Sequence, residues 1–488
     1  MEKIKHLHLL YTFLFGVAVL LFFGLAYPHH LHYQEQYQLF LFDSTYVWEI
    51  VKLPGGVADL LGRFCTQFFL FAWVGAFIIA LLLSLIQLLT RRLLNSQLTI
   101  HNSQFFYGLT FVPSFLLWLF LLDENALLGG VWAVLFTLLA IWGYVMAPGG
   151  WLRRILILVT LPVLYWIALG GSHYYRYPTV TPYLLYAAWL SAVILPLVAR
   201  FFRFQVLSFK VKVSCFMVQG LSFLLVAVVM GAIVWKNANF KAEKVMKYDF
   251  MACHQQWNRI IETICIEKPN NQIGVTVQNL ALAMQGKLLD HLFDFNQNGI
   301  QGLLPDVKTD ATSPLPTAEA FYHLGMINVA QRTVFEAQEA ILDFQKSGRC
   351  YKRLAQTNLI NGQYEVARKY LMALQKTLFY RDWANETLPL LGNEKAIASH
   401  PEYGRLRQFA YNEDLTSSRT TSRSAISSEL DGSRLTGDFY FSDHVTPEML
   451  ESLYFRNRDN RLAYQYLLAY CMLTGDRERF NHLISKEP

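Results

Sequence analysis

The sequence predicts an all-α protein in which a polytopic membrane helix bundle of about seven spans precedes an extracytoplasmic helical repeat domain. Of 488 residues, 53% are hydrophobic and only 16% are charged, and the mean hydropathy is +0.25. This composition excludes a purely soluble globular protein. Residues 1–236 contain 14 Lys and Arg with 7 Asp and Glu, whereas residues 237–488 contain 28 and 29. The chain therefore combines a membrane half with a half of ordinary charge.

The membrane half contains a series of apolar stretches. A helix needs about 20 residues to cross a hydrocarbon core of about 30 Å. The stretches that approach or meet this length are Leu9–Tyr27, Phe68–Leu89, Phe105–Leu122, Ala126–Ala147, Ile155–Gly171, Tyr183–Val198 and Val213–Trp235. Their long unbroken apolar runs exclude a β-barrel, whose strands alternate.

Basic residues predict the direction of the spans. Lys and Arg fall on alternate loops, near residues 3–5, 91–92, 153–154 and 200–212. Loops rich in Lys and Arg stay in the cytoplasm. Seven crossings from a cytoplasmic N-terminus place residues 237–488 outside, so we expect a bacterial inner-membrane protein with a periplasmic C-terminal domain.

The first apolar stretch has two interpretations. Lys3 and Lys5 precede it and Gly24-Leu25-Ala26 resembles a cleavage site, as in a secretory signal. The length of the apolar region favours an uncleaved signal anchor instead. The six later stretches keep the protein in the membrane in either case.

The outside loop after the first span, residues 28–67, is much longer than the loops between the later spans. Its aromatic and apolar content predicts two interfacial helices separated by Pro54-Gly55-Gly56. Glu35 lies among the amides Gln36 and Gln38, and such neighbours can keep a carboxylate ionised as a base or a ligand. Glu35 is therefore the candidate catalytic residue. The other acids of the loop, Asp43, Glu49 and Asp59, are expected to face water.

Three histidines precede Glu35 in the same loop. His29, His30 and His32 together with Glu35 supply donors that a divalent metal accepts, although no His pair has helical i,i+4 spacing. The alternative is that these histidines contact lipid headgroups at the interface. Both interpretations place the histidines at the membrane surface.

The order of these features resembles the GT-C-type membrane glycosyltransferases over roughly Leu9–Trp235. The shared layout is a first span, a long outside loop with a carboxylate near its start, an acidic third-to-fourth turn and an outside C-terminal domain. The resemblance implies transfer from a polyprenyl-phosphate sugar, with Glu35 as the catalytic base. It also implies that Asp123 and Glu124 help to bind a divalent metal such as Mg²⁺ or Mn²⁺, or the donor phosphate. His32, from the histidine group above, is a further candidate ligand for that metal.

The chain departs from that family in two respects. Many members have two adjacent acids where this chain has Glu35-Gln36, and seven spans is a low number for the class. The chain is also similar to an uncharacterised group of Bacteroidetes-type membrane proteins with a C-terminal tetratricopeptide-like region, on the basis of its His-Tyr-Gln-Glu-Gln and Pro-Gly-Gly loop.

Sugar transfer from a lipid phosphate also needs positive charge to stabilise the departing phosphate. Arg63, His173 and Arg176 are the candidates for binding the donor, beside a metal. His173 and Arg176 lie in the outside loop Ser172–Pro178, which also contains three Tyr residues. The alternative for this loop is an aromatic belt at the membrane interface, where Tyr is common.

After residue 236 the pattern changes to amphipathic helices. Gly286, Gly362 and Gly475 each stand between two helical segments, as in the hairpins of tetratricopeptide repeats. We therefore expect a periplasmic helical-repeat domain over residues 237–412, a flexible Ser/Arg-rich loop over 413–445 and the last helices of the same domain over 446–488. A helical solenoid offers a groove for an envelope protein or peptide, although the domain can also serve only to cover the membrane half.

Three function classes remain. The first is a lipid-linked-sugar glycosyltransferase, and the second is a non-catalytic membrane anchor that presents a repeat scaffold to envelope proteins. Transport is third, because the spans contain almost no ionisable residues. No phosphate-binding glycine loop or dinucleotide motif is present, so a nucleotide cofactor is not expected. The Ser/Arg segment has acids on both flanks and does not indicate nucleic-acid binding.

The distribution of basic residues makes the topology testable. Reporter fusions after residues 92 and 154 should give cytoplasmic signals, whereas a fusion after residue 488 should give a periplasmic signal, because basic loops resist translocation. A cytoplasmic signal at residue 488 would contradict the odd number of spans.

Overall fold

The computed structural model describes residues 7–97, 106–146, 150–151, 155, 182–202, 215–306, 313–341, 345–410 and 447–486. All secondary-structure elements assigned within these ranges are helices, so the all-α prediction is confirmed for them. The chain divides into two compact units, Met1–Glu243 (unit 1) and Lys244–Pro488 (unit 2). The predicted boundary lies at residue 236. Residues 156–171 of the predicted fifth span and the predicted Ser/Arg-rich loop are outside the described residues.

Unit 1 is built from apolar helices and a set of short helices between the first two of them. The α-helices are α1 (Leu7–Leu21), α2 (Pro28–Glu35), α3 (Ser44–Val51), α4 (Gly56–Thr66), α5 (Ala72–Gln97), α6 (Val112–Phe120), α7 (Gly129–Met146), α8 (Pro182–Phe202), α9 (Cys215–Asn237) and α10 (Phe240–Cys253), whose C-terminal part belongs to unit 2. A π-helix, Phe22–Ala26, continues α1, and 3₁₀ helices at Gln67–Leu70 and Phe106–Phe111 precede α5 and α6.

Some of the predicted spans coincide with helices that are long enough to cross a membrane. Within the described residues, four helices are long and apolar enough to cross a membrane: His8–Ala26, Ala72–Ser96, Gly129–Met146 and Gly220–Asn237. Two shorter apolar helices, Tyr107–Phe120 and Tyr183–Leu195, fall on the predicted third and sixth spans. The count of seven spans and their direction stay predictions.

Hydrogen bonds made by polar side chains connect the apolar helices of unit 1. Thr12 donates to Oε1 of Gln87 at 2.7 Å, and Nε2 of Gln87 donates to the hydroxyl of Thr110 at 2.9 Å. The Ser114 hydroxyl donates to the Leu83 carbonyl at 2.7 Å. A bilayer core offers polar groups no other partner, so such bonds fix which faces of the helices meet.

The described part of unit 2 consists of helices, several of which follow one another after short turns. They are α11 (Trp257–Glu267), α12 (Gln272–Met284), α13 (Leu288–His291), α14 (Pro314–Leu324), α15 (Ile327–Ala340), α16 (Gly348–Ile360), α17 (Tyr364–Gln375), α18 (Arg381–Thr387), α19 (Glu394–Ser399), α20 (Tyr403–Phe409), α21 (Pro447–Arg456), α22 (Arg461–Thr474) and α23 (Arg477–Ser485). A large core of buried apolar side chains runs through most of these helices.

The three predicted turn glycines all have left-handed backbone conformations. The φ angles of Gly286, Gly362 and Gly475 are +69°, +76° and +72°, and each residue follows one helix and precedes another. Glycine adopts this conformation without the steric cost that other residues meet. Gly325, with φ +89°, makes a fourth such turn, between α14 and α15, that the sequence interpretation missed.

The last helices of unit 2 return to its first helices. α22 contacts α12, α13 and α14. Nδ2 of Asn460, the residue before α22, donates to the Leu324 carbonyl at 2.8 Å. In an open solenoid each repeat touches only its neighbours. Unit 2 therefore differs from the expected linear stack of hairpins.

A cluster of buried charges connects three helices of unit 2. Arg349 on α16 binds both oxygens of Asp249 on α10, at 2.6 and 2.8 Å, and Arg353 binds Glu319 on α14 at 2.6 Å. Burial alone would raise the pKa of Glu319, but Arg353 and Arg349 outweigh it and lower the pKa to about 2. Burial lowers the pKa of His323 beside Glu319 to about 4, so this imidazole is neutral at pH 7.

Removing one partner of the cluster should destabilise unit 2. We expect Arg349→Met to cost about 3–5 kcal/mol of folding free energy, because Asp249 is left charged and buried. The matched control is Lys346→Met, which removes an exposed cation 3.8 Å from Glu339 and should cost at most about 1 kcal/mol. Chemical unfolding of the full chain in detergent, followed by circular dichroism, measures both. Equal costs would contradict a structural role for the cluster.

Candidate functional site

Residues 28–67, the long loop after the first predicted span, are folded into unit 1. Helix α2 begins with Pro28 at its first position and buries His30, Leu31, Tyr33, Gln34 and Glu35. It packs on α5 and on the 3₁₀ helix that precedes α5. The expectation of two interfacial helices in this loop is corrected to three helices, of which the first is largely buried. Burial is possible because its polar groups find partners inside the protein.

The start of α2 is held by a carboxylate from α10. The backbone N–H groups of His29 and His30 donate to the two oxygens of Glu243, at 2.8 and 2.9 Å. A carboxylate at a helix N-terminus accepts from N–H groups that lack helical partners and interacts favourably with the helix dipole. In the same region, the hydroxyl of Tyr27 accepts from the backbone N–H of Asn239 at 3.0 Å.

The buried face of α2 contacts the turn between α6 and α7. Nε2 of His30 lies 2.9 Å from the Leu121 carbonyl oxygen. Nε2 of Gln34 donates to the carbonyls of Asp123 and Ala126, at 3.3 and 3.2 Å. Two side chains one helical turn apart therefore attach α2 to residues 121–126.

The environment of His30 determines which of its nitrogens carries the proton. Burial lowers the pKa of His30 to about 3, so the ring is neutral at pH 7. A carbonyl oxygen can only accept a hydrogen bond, so Nε2 must carry the hydrogen and Nδ1 must be unprotonated. Nδ1 is buried and has no hydrogen-bond partner among the described residues. His30 is thus a fixed donor to the turn and not an acid.

The structure brings together the elements that carry the predicted acids. Glu35 is 7% exposed and directly follows Gln34, which bonds to Asp123. Oδ1 of Asp123 accepts from the backbone N–H of Asn125 at 2.9 Å, so Asp123 shapes the turn. Burial raises the pKa of Glu124, and the charge of Asp123 raises it further. The end of α2, which carries Glu35, therefore lies next to the turn that carries Asp123 and Glu124.

Arg63 is bound within its own helix. Its Nε and Nη2 atoms donate to Oδ2 of Asp59, at 3.0 and 2.7 Å, and its side chain is 16% exposed. Asp59, expected to face water without a specific neighbour, is the partner of this arginine. Asp43, another acid of the loop, caps α3 by accepting from the N–H groups of Thr45 and Tyr46. The donor-binding role of Arg63 stays a prediction, but the arginine is already paired.

The remaining predicted site residues divide into two groups. His32 lies on α2, with its ring centroid 5.8 Å from that of His29. His173 and Arg176 are outside the described residues. Within the described ranges, no group of three or more His, Cys, Asp or Glu side chains is arranged to hold a metal. His32, Asp123 and Glu124 therefore do not fit the predicted metal site as a set.

The sequence interpretation missed three residues that position the site, namely His30 as a donor, Gln34 and Glu243. A signal for the first two was present. His30, Gln34 and Gln38 are polar residues spaced four apart in an apolar loop, which is the pattern of one helical face. No local signal exists for Glu243, because it acts on residues more than 200 positions away in the chain.

A comparison with family models matches nearly the whole chain. One model, described as a family of unknown function (DUF6057), matches residues 3–173 and 167–487. The searches of curated proteins and of solved structures give no match. The chain thus belongs to the DUF6057 family, whose function is unknown.

Proposed function

We propose that the protein is a membrane-embedded glycosyltransferase that uses a polyprenyl-phosphate sugar, with Glu35 as its general base. In the proposed reaction, Glu35 accepts the proton of an acceptor hydroxyl as the hydroxyl oxygen forms a bond to the anomeric carbon of the sugar. The bond between that carbon and the lipid phosphate breaks, and the phosphate leaves with the electron pair. The proposal places this reaction on the extracytoplasmic side.

The observation that carries the proposal is the attachment of α2 to the 121–126 turn. The resemblance to the GT-C-type enzymes requires that the first-loop carboxylate and the second-loop acids share one site. The hydrogen bonds from His30 and Gln34 to Leu121, Asp123 and Ala126 join the two loops. A membrane anchor has no requirement for a buried polar helix, because burying polar groups costs free energy unless each is paired.

Rigid placement of Glu35 is the second supporting feature. α2 is fixed at its start by Glu243 and along its length by His30 and Gln34. General base catalysis needs the base within hydrogen-bond distance of the proton that it removes. A short helix fixed at both ends is suited to hold a carboxylate at such a position.

The proposed site needs positive charge that its described part lacks. Glu35, Asp123 and Glu124 are all acids, and Arg63 is bound to Asp59. The proposal therefore assigns stabilisation of the departing phosphate mainly to His173 and Arg176 of the next outside loop. Because the described acids and His32 do not fit a metal site as a set, the proposal routes no step through a metal.

The decisive variant is Glu35→Gln, which keeps the side-chain shape and removes the charge. In membranes that contain the overproduced protein, we expect release of polyprenyl phosphate from labelled polyprenyl-phosphate hexoses to fall by about 10²–10⁴-fold, the range typical for loss of acid–base catalysis. The amount of protein in the membrane should stay unchanged.

The matched control is Glu49→Gln, because Glu49 belongs to the same loop and is exposed. Asp59→Asn is unsuitable as a control, since it would release Arg63. Equal activity in Glu35→Gln and the unchanged protein would end the assignment of Glu35. If the unchanged protein releases no polyprenyl phosphate from any of the donors, the glycosyltransferase proposal itself fails.

The alternative is a non-catalytic membrane anchor that presents unit 2 to proteins of the cell envelope. Its support is the series of helix pairs α14–α15 and α16–α17, which join at left-handed glycines as in tetratricopeptide-like hairpins. This alternative predicts that unit 1 can be exchanged for an unrelated membrane domain of the same topology without loss of cellular function. The glycosyltransferase proposal predicts that the exchange abolishes function.

A further inference from the structure

The segment after α13 in unit 2 contains a pattern of oxygen-bearing side chains. Its sequence is Asp294-Phe295-Asn296-Gln297-Asn298-Gly299. Oxygen ligands at positions 1, 3 and 5 followed by glycine at position 6 form the first half of an EF-hand calcium loop. Glycine is needed at position 6 because the chain turns sharply there, and Gly299 has a left-handed φ of +60°.

The two asparagines are oriented by a neighbouring stretch of backbone. Nδ2 of Asn296 donates to the carbonyls of Lys268 and Pro269, at 3.2 and 3.3 Å. Nδ2 of Asn298 donates to the carbonyl of Asn270 at 3.1 Å. A carbonyl oxygen only accepts, so the amide nitrogens must face residues 268–270. The amide oxygens of Asn296 and Asn298 are therefore not the atoms that meet those carbonyls, and both residues are exposed.

Asp294 supplies the negative charge of the segment. One of its oxygens, Oδ2, lies 2.7 Å from Nδ1 of His291, and its side chain is 62% exposed. The other carboxylate oxygen remains available as a ligand. One carboxylate and two amide oxygens, spaced by two residues each, are the kind of ligands that Ca²⁺ takes at 2.3–2.6 Å.

We propose that residues 294–299 form a calcium site in which Asp294, Asn296 and Asn298 supply the side-chain oxygens. Calcium accepts amide and carboxylate oxygens alike, so such a site needs no group of three acids. Mg²⁺ demands a nearly ideal octahedron and gives up its water reluctantly. The site therefore binds Ca²⁺ in preference to Mg²⁺.

Two departures from the complete loop determine the expected affinity. Position 12, where an EF-hand has a bidentate glutamate, is Pro305. The backbone oxygen of Ile300, at position 7, already accepts from the N–H of Leu304 at 2.8 Å. With few charged ligands, the expected dissociation constant is about 10⁻⁴–10⁻³ M, as in extracellular calcium modules. This inference does not depend on the proposed glycosyltransferase activity.

The test is a calorimetric titration of the full-length protein in detergent, after removal of bound ions with a chelator. Titration with CaCl₂ should show one site with a dissociation constant of about 10⁻⁴–10⁻³ M, and MgCl₂ at the same concentrations should bind at least about tenfold more weakly. Absence of CaCl₂ binding up to about 10 mM, or equal binding of both ions, would overturn the proposal.

Two variants distinguish calcium binding at this site from binding by other acids of the chain. Asp294→Asn should weaken CaCl₂ binding at least about tenfold, because it removes the only charge in the ligand set. Asp290→Asn is the matched control: it removes an exposed acid four residues earlier and should leave the constant unchanged. Equal effects of the two variants would contradict the assignment.

Asn298→Asp tests the site by a gain of binding that misfolding cannot produce. A second carboxylate in the ligand set should tighten CaCl₂ binding about tenfold. The substitution removes the hydrogen bond from Asn298 to the Asn270 carbonyl. Loss of that bond cannot by itself tighten calcium binding. Unchanged or weaker binding by a folded Asn298→Asp protein would contradict the role given to position 5.

Discussion

Pairing of buried polar groups is the constraint on which the proposed site of unit 1 depends. A polar helix packed among apolar helices is stable only if its donors and acceptors have partners, because an unpaired buried polar group costs about 1–3 kcal/mol. In α2 the N–H groups of His29 and His30, in the first turn, are paired with Glu243, and the side chains of His30 and Gln34 are paired with the 121–126 turn. The position of Glu35 is a consequence of these bonds.

The same constraint has a different consequence in unit 2. There the buried groups are full charges, and Asp249, Glu319, Arg349 and Arg353 pair with one another. Replacing such a cluster by apolar side chains is often neutral for stability, whereas removing one member is costly. Arrangements of α10, α14 and α16 that separate these charges are therefore costly, because each would leave a buried charge unpaired.

How much of the fold the sequence predicts depends on the range of the interaction. Apolar runs located four full-length helices, and local composition located the turns at Gly286, Gly362 and Gly475, because both signals lie within a few residues. The turn at Gly325 shares the spacing Gly-x-x-x-Val-Ala with Gly362, so the signal existed and was missed. The return of α22 onto α12 and α14 had no local signal, since it joins residues more than 130 positions apart.

The candidate site shows the same division between local and distant information. Glu35 and the Asp123-Glu124 pair were recognised from the order of loops and spans. Their supports were not, because the contacts of α2 with Leu121 and Glu243 connect distant parts of the chain. Arg63 is paired for a local reason: Asp59 stands four residues before it, the spacing at which opposite charges pair on a helix. This spacing can be seen in the sequence. An arginine proposed to bind an anionic ligand should therefore first be checked for an acid one turn away on its own helix.

The proposed enzyme has two kinds of site residue: one that contacts the substrate, and others that hold that residue in position. Glu35 is the group proposed to touch the substrate, whereas His30, Gln34 and Glu243 touch only protein and are positioning residues. The neutral state of His30 is part of this function, because a protonated ring would place an unpaired charge at a fully buried position. A helix held in this way loses little conformational entropy when a substrate binds, since its backbone is already ordered. The free energy of ordering α2 is thus part of the folding of unit 1, and in the proposed enzyme the binding energy of the substrate would remain available for the transition state.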